Sequence, residues 1–162
     1  MPEITALGWF HTALGIAALV TGVLSFVRFG LIAWSHRPGR IYLITTLITA
    51  LSALGIYNQG GFGIAHILAL MTLAAVAMGS VAEKTQTFGG LSSYLQAVSY
   101  SATFLFHMIP AITDGLMRLP VGNPVVTSIE DPLLRGFYLA FLLTYLLGVS
   151  VQMLYLRRRT ST

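Results

Sequence analysis

FGIAHILALMTLAAVAMGSVA, residues Phe62 to Ala82, runs for 21 positions without one charged side chain. A hydrocarbon core about 30 Å thick takes about 20 such residues to cross as a helix. This stretch is therefore read as a membrane span, and its one imidazole is His66.

Four more segments read the same way. With Phe62–Ala82 they place helices at about 7–34, 41–57, 62–82, 94–116 and 136–156. The expectation is an all-α integral membrane bundle of five transmembrane helices, a single transmembrane domain over 1–162. Composition agrees: 56% of the 162 residues are hydrophobic and 9% charged, and the mean hydropathy is +0.80. A soluble domain carries about 25% charged residues, so the partner of most of this surface is the lipid bilayer. Met1–Thr5 has no positive charge, so the first apolar run is read as a retained helix rather than a cleaved signal.

The net charge of +4 does not point to nucleic acid, because the basic residues stand at helix ends. Arg28, Arg37, Arg40, Lys84, Arg157, Arg158 and Arg159 fall on one side of the five-span arrangement. Arg118 and Arg135 fall on the other, with Glu3, Asp114, Glu130 and Asp131. The positive-inside rule puts the first group in the cytoplasm. The N-terminus is then outside, the C-terminus cytoplasmic, and the setting a bacterial-type inner (plasma) membrane. The absence of cysteine excludes disulfides, thiolate metal sites and cysteine nucleophiles. No nucleotide-binding, zinc-protease or serine-hydrolase motif occurs, and no internal repeat is visible.

Ionisable residues within spans are the functional candidates. His11, His66 and His107 lie in or near helices 1, 3 and 4; His36 reads as a solvated loop residue. Counting inward from Glu83 and Tyr94 places His66 and His107 about 25 Å and 20 Å deep, and His11 is 17 residues from Arg28. All three then share the outer half of the bilayer. On helix 4, Gln96, Ser99, Tyr100, Thr103, His107, Asp114 and Arg118 form one polar face, which should turn inward. Helix 1 carries a small-residue face of Gly8, His11, Gly15, Ala18 and Gly22. It suits either close packing or a flat cofactor. Helix 2 offers Thr45, Thr49 and Ser52. Pro110 is expected to kink helix 4, and the proline-rich loop Met117–Arg135 to fold over the outer end.

Four passages together carry a resemblance: His11; HRPGRIY, residues 36–42; GGFGIAHILALMTL, residues 60–73; and FHMIP, residues 106–110, followed by Arg118-Leu119-Pro120. Together, over about residues 11 to 120, the chain resembles a family of small bacterial polytopic membrane proteins catalogued as a domain of unknown function. That family has HRxxGRxY-like and GxFxxxHxLxxxTL-like motifs. This chain has only Pro38 between His36-Arg37 and Gly39-Arg40, one residue fewer than the first pattern. The resemblance implies that His11, His36 and His66 are motif positions, and it implies no activity.

The leading functional expectation is a histidine-lined electron-transfer site. His66 and His107 would be its ligands, with His11 a third ligand or neighbour. Neutral imidazoles bind haem iron, copper or zinc. Haem b is favoured by the small-residue faces, and a copper or zinc site on His11, His66 and His107 is its rival. Two other classes stay open. One is a non-catalytic accessory or assembly subunit of a membrane complex, with structural histidines and no cofactor. The other is a proton or small-solute pathway lined by Tyr100, Thr103, His107 and Asp114.

Overall fold

The computed structural model describes residues 4–57 and 61–160. Asn58, Gln59 and Gly60, the acidic residue Glu3 and the tail residue Thr162 lie outside the described residues.

Five α-helices follow one another: α1 (Ala6–Phe29), α2 (Arg37–Ala53), α3 (Ile64–Thr85), α4 (Ser92–Arg118) and α5 (Pro132–Thr160), with a 3-10 turn at Gly89–Leu91 before α4. Among the described residues there is no strand. α1, α3, α4 and α5 are long and apolar enough to cross a membrane. α2, with 17 residues, is about 25 Å long, at the lower limit for a span.

Local chemistry sets the boundaries. Thr5 caps α1 by accepting the Gly8 N–H at 3.1 Å. At the other end Gly30 adopts a left-handed conformation, φ +72°, and its N–H closes on the Phe26 carbonyl. A residue with a Cβ resists that conformation, so α1 stops at Phe29 rather than near Trp34. α2 starts at Arg37, four residues before the expected Ile41. Pro38 fits its first turn, where no N–H is needed. α2 also ends earlier, at Ala53, because Gly55 and Ile56 bond back into a turn on Ser52 and Ala53. Asp131 Oδ1 accepts the Leu133 N–H at 2.8 Å and caps α5, so that helix starts before the expected Gly136. α4 continues through Pro110.

The segment freed by the early end of α1 becomes a strap that three other helices grip. Gln152 of α5 donates to the Gly30 carbonyl at 3.0 Å. Gln96 of α4 donates to the Ile32 carbonyl at 3.1 Å. Glu83 of α3 accepts the Trp34 N–H at 2.8 Å. The end of α1, the start of α2, the end of α3, the start of α4 and the end of α5 therefore meet at one end of the bundle, and successive helices alternate in direction. Seven basic residues gather at that end, with Glu83 as its carboxylate.

α4 is the central helix, packed along α3 and α5 and touching α1, while α1 packs along α2. The core is Ala18, Ile32, Tyr42, Leu43 and Tyr100, closed by Phe26, Trp34 and Phe104. The small face of α1 serves close packing: a Cβ on Gly22 would stand 2.8 Å from the Phe104 ring. Outward, large apolar side chains dominate, among them Val27 at 78% exposure and Leu147 at 69%. That surface suits lipid. The loop before α5 folds back on α4, with the Val126 N–H on the Leu116 carbonyl at 3.1 Å and the Val126 side chain buried.

Candidate functional site

α2 supplies the partners of two histidines. Nε2 of His107 meets Thr46 Oγ1 at 3.1 Å. Nδ1 of His11 lies 3.1 Å from both the Thr49 carbonyl and Ser52 Oγ. Thr46 and Ser52 are six residues apart, about 9 Å along a helix, so the two imidazoles meet α2 at successive levels. They remain within electrostatic reach of each other, and His11 of Asp114. Asp114 itself is mostly exposed and pairs with Arg118 at 3.5 Å.

One turn before Thr46 stands Tyr42, fully buried. Thr103 gives its proton to the Tyr100 carbonyl at 2.7 Å, so the Tyr42 hydroxyl is the donor in its 2.7 Å bond to Thr103. The Tyr100 hydroxyl donates to Glu83 Oε2 at 3.1 Å and lies 3.2 Å from Ser80 Oγ. The Trp34 indole N–H donates to the same Ser80 hydroxyl at 3.1 Å. Glu83 thus accepts on both oxygens, from Tyr100 and from the Trp34 backbone, and Lys84 sits over the Trp34 ring at 4.5 Å.

These bonds form a polar seam inside the bundle: Glu83, Tyr100, Thr103, Tyr42, Thr46, His107, then His11. It has three interruptions. The Tyr100 ring separates its own hydroxyl from Thr103, Tyr42 and Thr46 stand one turn apart on α2 with their bonds directed to Thr103 and His107, and among the described residues no direct bond joins His107 to His11.

His66 lies elsewhere. It is in the first turn of α3, where its Nδ1 accepts the Gly63 N–H at 3.1 Å. Its ring packs between Tyr57 and Phe62, at centroid distances of 4.7 Å and 5.0 Å. With Nδ1 accepting, the proton of the neutral ring is on Nε2; that atom is buried and has no partner among the described residues. His36, expected to be solvated, stacks flat on Phe29 at 3.8 Å.

Comparison with family models, with curated proteins and with solved structures finds no match.

The structure brings Tyr100, Thr103 and His107 together on the inward face of α4, as the periodicity requires, and sets His11 against the neighbouring helix. Asp114 stays at the surface and His66 stays at the start of α3. Among the described residues no group of three or more His, Asp or Glu side chains stands together as a metal ligand set. His107 Nε2 is engaged by Thr46, and His66 Nε2 bears a proton while Nδ1 caps the helix. So arranged, His66 does not stand with His11 and His107 as a three-histidine ligand group. The sequence reading missed Glu83, Ser80, Trp34, Tyr42 and Thr46. Tyr42 and Thr46 are i, i+4 on α2, a signal as regular as the Thr45, Thr49, Ser52 face that was singled out.

Proposed function

We propose that this chain is a five-span membrane protein whose inward polar seam carries protons between the two ends of the bundle. In this reading the N-terminus is outside and the basic end is in the cytoplasm. α2 is the fifth span, returning the chain between the parallel helices α1 and α3. The observation that carries the reading is the seam from Glu83 to His107, which continues toward His11 and Asp114. Its carboxylates stand toward opposite ends, and a row of hydroxyls and imidazoles lies between them in an otherwise apolar bundle. Hydroxyls and imidazoles both donate and accept, as a relay requires. Buried polar groups in a span face the bundle interior and mark such pathways. The three interruptions make this the closed state, and conduction needs water to enter them.

The test is proton flux into liposomes loaded with a pH-sensitive dye, with the membrane potential set by potassium and valinomycin. Wild-type protein should conduct above empty liposomes. Tyr42→Phe and Glu83→Gln should each lower the rate about tenfold or more, the equivalent of ~1.4 kcal/mol on the barrier. His36→Ala should leave it unchanged. Wild-type flux equal to the lipid background overturns the reading.

The accessory-subunit alternative is favoured by one observation: His11 and His107 both bond to α2, as interhelical ties would. It predicts no flux, and a bundle that loosens when His107 is changed. A haem or metal-ion reading has its own readout. A Soret band or stoichiometric copper or zinc in the native protein, lost in His66→Ala and His107→Ala alike, would replace the proton reading.

A further inference from the structure

The chain between α4 and α5 presents aliphatic side chains where a loop in water would present polar ones. Leu119, Val121 and Val125 are all exposed, Val121 at 89%. Backbone bonds hold the three together. The Val125 N–H bonds to the Leu119 carbonyl at 3.1 Å, and inside that loop the Asn123 N–H closes a turn on the Pro120 carbonyl at 3.0 Å. Gly122, at φ +85°, takes the left-handed third position that a type II turn requires. Val121 is therefore the tip of a tight turn, with Pro120 and Pro124 fixing the backbone on either side of it.

The level of this turn is set by α4. The Val126 N–H bonds to the Leu116 carbonyl at 3.1 Å, and the Val126 side chain is buried. The loop is thus drawn back beside the last turn of α4 instead of standing off its end. α4 has 27 residues, about 40 Å of helix. A bilayer with its headgroups is about 40–45 Å thick, so the last turn of a helix this long lies in the headgroup layer. Exposed Trp9, in the first turn of α1, and exposed Tyr57, beyond α2, stand at the same end. Tryptophan and tyrosine are enriched at such interfaces. The loop leads into α5, the least buried of the four candidate spans, whose Leu133 and Leu139 are exposed. The apolar surface of the turn therefore continues into one that already faces lipid.

We propose that residues 119–125 form a membrane-interface anchor, whose aliphatic tip enters the lipid leaflet at this end of the bundle. Removing its apolar area from water is favourable, and the bonds within the turn leave less polar backbone to desolvate. The proposal rests on α4 and α5 crossing the bilayer, as in the proposed function, and not on proton transport.

The chain has no native cysteine, so single cysteines carry a nitroxide spin label without background. Val121→Cys, Val125→Cys, Thr127→Cys and Leu147→Cys are reconstituted in liposomes of phosphatidylcholine and phosphatidylglycerol. Power saturation then compares access of oxygen, which dissolves in lipid, with access of a water-soluble nickel chelate. Leu147, exposed in the middle of α5, is the lipid reference. Thr127, exposed just past the buried Val126, is the water reference. The oxygen-to-nickel ratio at positions 121 and 125 should lie between the two references, well above that at 127. Either position carries the test if the other variant fails to fold. A ratio at 121 equal to that at 127 would overturn the proposal and leave the turn facing water. Dipolar broadening at 121 that grows with the protein-to-lipid ratio would overturn it in favour of contact between copies. A Leu147 label as open to nickel as the Thr127 label would overturn the span itself, so failure of the anchor and failure of the membrane reading are told apart.

Discussion

Thr46 holds the His107 ring across the α2–α4 contact, and Tyr42 holds Thr103 across the same contact one turn away. Interhelical hydrogen bonds of this kind contribute about 0.6 kcal/mol on average in a membrane protein, because the unfolded state in lipid also finds partners. Thr46→Val keeps the shape of the side chain and removes its hydroxyl. It should lower stability by about that amount in a denaturant titration in detergent. Thr45, its neighbour, bonds back to the Ile41 carbonyl at 2.8 Å within its own helix. Thr45→Val should change stability by less than about 0.3 kcal/mol, half the interhelical value. Equal effects at the two positions would show that the Thr46–His107 bond does not hold the helices together.

Between elements, small residues decide how closely helices approach. Gly79 of α3 faces the buried ring of Tyr100, and a Cβ there would fall on that ring. The ring cannot easily retreat, since its hydroxyl is tied to Glu83 and Ser80. Gly79→Ala should therefore cost about 1–3 kcal/mol, the range for overpacking a close contact. It should also disturb the Glu83 end of the seam, lowering proton flux with it. Gly148 of α5 has nothing within 4 Å of an added Cβ. Gly148→Ala should be neutral or stabilising, because alanine is the better helix former. The pair separates a packing effect from a general effect of glycine replacement, read out by thermal unfolding in one detergent.

At the scale of the whole molecule, the strap Gly30–Trp34 fixes which helix ends lie together. Bonds from Gln152, Gln96 and Glu83 converge on it, so the ends of α1, α3 and α5 must be level. If the seven-residue basic end is cytoplasmic, exposed positions should label accordingly with an impermeant thiol reagent in intact cells. Thr5→Cys and Thr127→Cys should react from outside. Thr87→Cys, and Thr162→Cys beyond the described residues, should react only after permeabilisation. Labelling of Thr87→Cys from outside would mean that α2 does not cross, or that the bundle is inverted.

Five helices, their order and the polar face of α4 were legible in the sequence. Length, hydropathy and a period of 3.6 are properties of the chain taken locally, and lipid enforces them strongly because no backbone group can stay unpaired there. The early end of α1 was less legible: an apolar run through Trp34 hides the left-handed turn at Gly30. The rotation of α2 was not legible at all. Thr45 and Thr46 differ by about 100° around the helix, and only the position of α4 decides which of them meets a histidine. Likewise Glu83 reads as a loop charge until the strap brings Trp34 beside it and α4 brings Tyr100. The sequence by itself determined the elements, four of them long and apolar enough to cross a membrane. The tertiary structure decided the partners, separating His66 from His107 and joining Glu83 to the seam. Which side chains meet depends on the azimuth and level at which helices pack, and those are set by contacts between residues far apart along the chain.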